Sequence, residues 1–344
     1  MLQIECKGTP YEIGNQQGLA LSPQISSTIS FYASLFFKNC NLTWPQVRLR
    51  ARAFEETAKE KWQAYHDEMR GIADGAGKDL LDIVAINVRT EINFGMWGDG
   101  CTALGWRTAG RGEKVWLAQN WDWMKEQKTN LVIVRITQPG HPTIIQVTEA
   151  GIIGKIGFNS SGVGTLLNAI RVPGVDPTRL PVHFGLRMAL ESTSVDEAVK
   201  RLEENGMAAS SHILLADPIN VLGLEFTKST FAHCRSDDRG IVTHTNHLLE
   251  SHPNERDTVW LKDSLVRLQT MRRSMDKLTD TPEWTDISSL FENEENLPSA
   301  ICRLETLESG SETLFNIVMD LKARRGIVRV GRPTQSDETI ALEL

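Results

Sequence analysis

The 344-residue sequence lacks the marks of several large functional classes. Basic charge is not in excess. There are 37 Lys and Arg against 44 Asp and Glu, a net charge of −7, so the basic face that nucleic-acid binding needs is missing. No long apolar run is present; ISSTISFYASLFF at 25–37 is too short and too polar to cross a bilayer. The opening MLQIECKGTP has neither the basic segment nor the apolar core of a secretory signal. Cysteines are few and scattered (Cys6, Cys40, Cys101, Cys234 and Cys302), odd in number and without a CxxC pair. That pattern fits a reducing compartment and leaves at least one thiol free. Internal repeats, low-complexity segments and long linkers are absent as well. These absences predict a cytoplasmic globular protein of one folded unit, with no nucleic-acid and no membrane partner. Glu343 stands in the closing ALEL where a peroxisomal address carries a basic residue, so a peroxisomal location is the weaker alternative.

What is present divides near residue 100. After a short strand at 2–7, helical spacing runs over 9–37, from Trp44 or Pro45 to about Ile72, and over 78–92. From Cys101 the period changes to two, giving strands at 101–107, 113–120, 130–138 and 142–150, then a hairpin over 152–159 and 163–170. Helices follow at 181–192 and 194–205, the second opened by Ser194 with Glu197 and closed by Gly206. Strands at 210–217, 221–227 and 240–246, a helix around 256–277, and strands at 313–320 and 326–332 complete the chain. Hairpins, a helical pair and more hairpins predict an α+β fold of antiparallel sheets with helices on their faces, not a βαβ order.

The stretch GDGCTALGW at 98–106 puts a thiol directly after a glycine. With a turn at 109–112, hairpin arithmetic sets Cys101 opposite the stretch from Gln119 to Asp122, about 5 Å away at Cα. Asn120 and Asp122 thereby come within reach of Cys101. If the Gly100–Cys101 bond were cut, the freed α-amino group, with a pKa of about 7.7–8.0, would stand beside its own thiol as a base beside a nucleophile. On spacing alone Cys101 reads first as a core cysteine after a turn and Asn246 as a turn residue, while Asp122 reads equally as a cap. The histidines His244, His247 and His252 lack the glutamate and helical setting of an HExxH zinc site, so no metal is expected. Of Trp97, Trp106, Trp116, Trp121 and Trp123, core packing accounts for most, and one or two could line a pocket for an aromatic acyl group.

A chain-long resemblance sharpens this. GTPYEIG at 8–14, EMRGIADGA at 68–76, NVRTE at 87–91, DGCT at 99–102, QNWD at 119–122, TEAGIIGKIGFNSSGV at 148–163, GLEF at 223–226, HTNHLL at 244–249, SAICR at 299–303 and GRPT at 331–334 run in order along the sequence. With them the sequence resembles the fungal acyl-coenzyme A:6-aminopenicillanic acid acyltransferase (isopenicillin N acyltransferase) family of N-terminal nucleophile hydrolases. The resemblance implies an αββα sandwich, two antiparallel sheets between helical layers. It implies autoproteolysis into an α chain of 1–100 and a β chain of 101–344 that remain together as a heterodimer. Cys101 matches the nucleophile, Asp122 the aspartate that orients it, Asn246 the oxyanion donor, and Arg303 an arginine that balances charge. The implied substrates are an acyl-CoA of phenylacetyl type and the β-lactams isopenicillin N or 6-aminopenicillanic acid, with no cofactor beyond the CoA co-substrate. Departures occur at Ala300, where the family has serine directly before ICR, and at Thr227, where it has serine after GLEF. With Asn120, these are candidate substrate or processing positions. They leave two alternatives, an uncleaved relative with little activity and an amidase for linear N-acyl amides.

Overall fold

The computed structural model describes residues 1–93, 100–110, 112–259, 261–306 and 310–344. Strand β1 (Leu2–Lys7) leads into helix α1 (Pro10–Cys40), which starts at a capping box between Thr9 and Glu12 and stops at Asn41 in the left-handed region. Helices α2 (Trp44–Lys61), α3 (Gln63–Ala76), α4 (Leu80–Asn87) and α5 (Arg89–Ile92) follow. The single helix expected from 44 to 72 is thus two. Trp62 leaves helical geometry at φ −131° and ψ 57°, with its ring packed edge-on against Phe184 and its indole N–H donating to Asn205. Helices α1 and α3 touch backbone to backbone: a Cβ at Gly14 would lie 1.9 Å from the Glu68 carbonyl oxygen, and one at Gly71 would lie 2.2 Å from that of Tyr11.

The rest of the chain supplies β2 (Gly100–Arg107), β3 (Val115–Trp123), β4 (Leu131–Thr137), β5 (Ile144–Glu149), β6 (Ile156–Asn159) and β7 (Gly164–Ala169). After α6 (Val182–Leu190) and α7 (Val195–Asn205) come β8 (Ser211–Ala216), β9 (Val221–Phe226), β10 (Phe231–Arg235) and β11 (Ile241–His244). Helices α8 (Asp263–Met275) and α9 (Trp284–Phe291) precede β12 (Glu312–Asp320), β13 (Arg325–Val330) and β14 (Glu338–Glu343). One sheet has the order β1-β4-β5-β6-β7-β8-β9-β10 and the other β11-β2-β3-β12-β13-β14. One pairing departs from the expected antiparallel pattern: β1 runs parallel to β4, Leu2 opposite Val132. Two strands absent from the sequence reading, β10 and β14, are edge strands, half exposed and therefore polar enough to blur the period-two signal.

Helices α6 and α7 cover the larger sheet, α8 and α9 cover the smaller one, and the sheets meet through β2 and β3 against β7 and β8. This is an αββα sandwich. Alternation sorts the side chains of β2 and β3. Cys101, Ala103, Leu117 and Trp121 face the core between the sheets, whereas Leu104, Trp106, Trp116 and Ala118 face a second core with Met271, Ile287 and Phe291 under the outer helices. Among the described residues no helix is long and apolar enough to cross a membrane.

Candidate active site

The β2–β3 register pairs Gly100 with Asp122, Cys101 with Trp121 and Thr102 with Asn120. Cys101 therefore falls within the expected window, and alternation decides what each group can reach. The Cys101 thiol belongs to the inner core with Trp121; Asp122 and Asn120 point to the outer, helix-covered face. The backbone of Cys101 lies between. Its N–H donates to Asn246 Oδ1 at 2.9 Å, and its carbonyl accepts from Arg267 Nη1 at 2.6 Å.

Gly100 is in ordinary strand conformation, so space and not backbone strain explains the glycine. A Cβ there would lie 3.0 Å from Asp122 Oδ2 and 3.3 Å from Arg303 Nε. The carboxylate is thus pressed against the Gly100–Cys101 linkage, on the amine side of the cysteine and away from the thiol.

Asp122 is fully buried. Its Oδ1 accepts from Thr313 Oγ1 at 2.6 Å, while Oδ2 has no hydrogen-bond partner among the described residues and lies 3.5 Å from Arg303 Nε. Burial pushes its pKa up to about 6, against the opposing pull of Arg303 and Arg267. Asp263, the first residue of α8, accepts from Arg303 Nη2 and, at 3.2 Å, from Arg267 Nη2. Burial works to raise the Asp263 pKa, but the two guanidiniums outweigh it and hold the carboxyl below its ordinary value. Arg267 is fully buried and also donates to Thr102 Oγ1 at 3.1 Å and to Asn246 Oδ1 at 2.8 Å; burial lowers its pKa from the usual arginine value. The amide orientation of Asn246 follows from its neighbours. Its oxygen faces two donors, and its Nδ2 donates to the Ala169 carbonyl at 3.1 Å.

Gly100, Cys101, Asp122, Asn246 and Arg303 therefore come together, joined by Arg267, Asp263 and Thr313, which sequence reading missed. Asp263 and Arg267 stand four apart in the helix expected around 256–277, but nothing local says which sheet face that helix covers. Asn120 is near but occupied: its Nδ2 donates to the Phe291 and Ile301 carbonyls, both at 2.9 Å, tying the segment that carries Arg303 to β3. Ala300 is buried in that same segment.

Thr227 belongs elsewhere. Its oxygen serves the β9–β10 turn, accepting from the backbone N–H groups of Ser229 and Thr230, with Glu255 Oε1 at 3.2 Å. Trp106 and Trp116 are outer-core residues, Trp121 and Trp123 are inner, and Trp97 and Asp99 lie outside the described residues.

His244 and His252 both meet the Glu225 carboxylate, with the Thr245 carbonyl and Thr230 as their respective second partners, while His247 turns to Ser264. A different trio, His212, Cys234 and His244, has donor atoms within 4.8 Å of one another. The His212 and His244 rings, however, stack at 3.6 Å with 12° between planes. Both ring nitrogens of His244 are already engaged, by the Thr245 carbonyl and Glu225, which leaves that ring no nitrogen for an ion.

A family model for acyl-coenzyme A:6-aminopenicillanic acid acyl-transferase matches residues 108–335. The chain is also 40% identical over 347 residues, covering 99% of it and 96% of the relative, to the acyl-coenzyme A:6-aminopenicillanic-acid-acyltransferase 40 kDa form of Emericella nidulans. The chain belongs to this acyltransferase family. Among solved structures it is similar to a conjugated bile acid hydrolase from Clostridium perfringens, with a TM-score of 0.50 at 11% identity over 70% of this chain and 92% of that one. A penicillin V acylase from Agrobacterium tumefaciens follows with a TM-score of 0.43 at 11% identity over 72% and 80%. The fold is that of the N-terminal nucleophile hydrolases, and the family is one of acyltransferases.

Proposed function

We propose that the chain is an autoprocessed cysteine acyltransferase with amidohydrolase activity. It is made as a single αββα unit and cut before Cys101 into chains of 1–100 and 101–344 that stay together. The observation that carries this reading is the arrangement around the Gly100–Cys101 linkage. Asn246 meets the Cys101 nitrogen, Asp122 and Arg303 crowd Gly100, and the thiol stands on the opposite face.

In the self-cleavage step, Cys101 Sγ attacks the Gly100 carbonyl carbon through a five-membered ring. The carbon–nitrogen bond breaks, the nitrogen takes up a proton, and Gly100 is left as a thioester on Sγ. Water hydrolyses the thioester to a Gly100 carboxylate and a free thiol. Asp122, buried beside Gly100 and with its pKa pushed up to about 6, passes that proton and then holds the new ammonium.

In turnover, the freed amine, with a pKa of about 7.7–8.0, takes the Cys101 thiol proton. The thiolate attacks an acyl-CoA thioester, and CoA leaves as its thiol with that proton. The amine of 6-aminopenicillanic acid then attacks the acyl-cysteine, forming the amide and restoring the thiol. With isopenicillin N as acyl donor and water as acceptor, the same intermediate gives side-chain hydrolysis. Asn246 Nδ2 is the oxyanion donor, a role worth about 10²–10³ in rate. No step calls for a metal or prosthetic group; CoA enters as co-substrate. Few, scattered cysteines, odd in number and without a CxxC pair, fit a cytoplasmic location.

The test is incubation of purified protein with phenylacetyl-CoA and 6-aminopenicillanic acid, and separately with linear N-acyl amides. Wild type should form the acylated β-lactam with matching CoA release, and Cys101→Ala should form none. Hydrolysis of linear amides without β-lactam acylation would reassign the enzyme as an amidase. Undiminished turnover by Cys101→Ala would overturn the cysteine mechanism.

A further inference from the structure

Arg267 reaches three parts of the site at once. Nη1 holds the Cys101 carbonyl and Thr102 Oγ1, and Nη2 holds Asn246 Oδ1 and Asp263 Oδ1. An asparagine amide has nearly the same shape with oxygen and nitrogen exchanged, so its neighbours decide which end donates. In the uncut chain two donors face Oδ1, the Cys101 N–H at 2.9 Å and Arg267 Nη2 at 2.8 Å. Cleavage would turn the Cys101 nitrogen into an amine, which carries a lone pair and can accept as well as donate. A guanidinium has no acceptor and does not lose its proton.

Resting on the proposed acyl-cysteine chemistry, we infer that Arg267 is the positioning residue for the oxyanion donor. Once Cys101 is freed, its Nη2 keeps the Asn246 oxygen turned toward the arginine and the Asn246 nitrogen as the donating end. The fork is needed for this, because one group must hold the Cys101 carbonyl and the Asn246 oxygen together. A lysine ammonium at the end of a flexible stem supplies the charge without the fork. Asp263 fixes the fork from behind and links it to Arg303, which faces Asp122 on the amine side of Cys101. Arg267 thereby connects the oxyanion donor to the group that handles the amine.

The test compares two reactions of the same thiol. Acylation of Cys101 by p-nitrophenyl phenylacetate develops an oxyanion; alkylation by iodoacetamide is displacement at a saturated carbon and develops none. In Arg267→Lys, acylation should slow by about 10²-fold while alkylation stays within about threefold of wild type. Thr102→Val, which removes a single bond to Nη1 at nearly constant volume, should slow acylation by about three- to tenfold with alkylation unchanged, and serves if Arg267→Lys does not fold. Equal slowing of both reactions, or slowing of neither, would overturn the role of Arg267. Wild type that is alkylated at Cys101 but never acylated there would overturn the proposed function instead.

Discussion

Glu149 and Asp122 are both fully buried carboxylates facing two basic side chains, yet their acidities diverge. Glu149 is saturated. One oxygen accepts from Lys155 Nζ and, at 2.7 Å, from Arg89 Nη2; the other accepts from the Tyr32 hydroxyl and, at 2.9 Å, from Gln127 Nε2. Burial alone would raise its pKa, but these cations and hydrogen bonds outweigh it and pull the value down to about 2. Among the described residues Asp122 accepts from Thr313 alone, and its second oxygen has no hydrogen-bond partner. There burial wins, and the value rises to about 6. The difference separates a carboxylate built to stay ionised from one able to exchange a proton near neutral pH. The saturated cluster braces the inner face, with Lys155 Nζ 3.6 Å from the centre of the Trp121 ring; the unsaturated one lies beside the bond expected to break.

Substitution should pull the two roles apart. Asp122→Asn keeps the volume and removes the exchangeable proton. Its turnover should fall by about 10²–10⁴ with no loss of stability at neutral pH, where the substitution removes a charge that burial disfavours. Glu149→Gln should show the reverse, a loss of about 3–5 kcal/mol because Arg89 and Lys155 lose their shared countercharge, with near-normal turnover per folded molecule. Steady-state kinetics beside urea unfolding of both variants reads the comparison, and matching behaviour of the two would dissolve it.

The pH dependence is a smaller effect with opposite signs at the two sites. Asp122 has a raised folded pKa, so its contribution to stability is complete below about 4 and is lost as pH rises through about 6. Glu149 has a lowered one, so its contribution is present above about 4.5 and is lost as pH falls toward about 2. Wild type minus Asp122→Asn, measured by urea unfolding across pH 3–8, should therefore slope downward between about 4 and 6. A flat difference would mean that Asp122 has an ordinary acidity. The smallest change is expected from Ala300→Ser. Asn120 already fastens the neighbouring Ile301 carbonyl, so the added hydroxyl should alter stability by less than about 1 kcal/mol and the cleavage half-time by less than about threefold. A much larger acceleration of cleavage would identify the missing hydroxyl as limiting.

Much of this was readable in the chain, and the losses have physical reasons. Period-two spacing and one turn were enough to bring Cys101 opposite residues 119–122, because hairpin pairing is local arithmetic. Which face each side chain takes was not readable, since a slip of one residue exchanges the faces. For that reason Asp122 and the thiol of Cys101 looked like neighbours, although the sheet stands between them. Asn246 and Arg303 came from the family resemblance. Arg267, Asp263 and Thr313 escaped because their roles depend on how α8 and β12 pack against β2 and β3, a tertiary fact with no local signal. The parallel pairing of β1 with β4 likewise joins segments about 130 residues apart, beyond any periodicity argument.

Every role proposed for the site depends on a Gly100–Cys101 bond that breaks. Intact-mass measurement of freshly purified wild type and Cys101→Ala tests it most directly. Divided in proportion to residue number, the 38.5 kDa chain should appear in wild type as two species of about 11 and 27 kDa, the larger beginning at Cys101, while Cys101→Ala stays whole. A wild-type chain that remains at 38.5 kDa after prolonged incubation would rule out self-cleavage before Cys101.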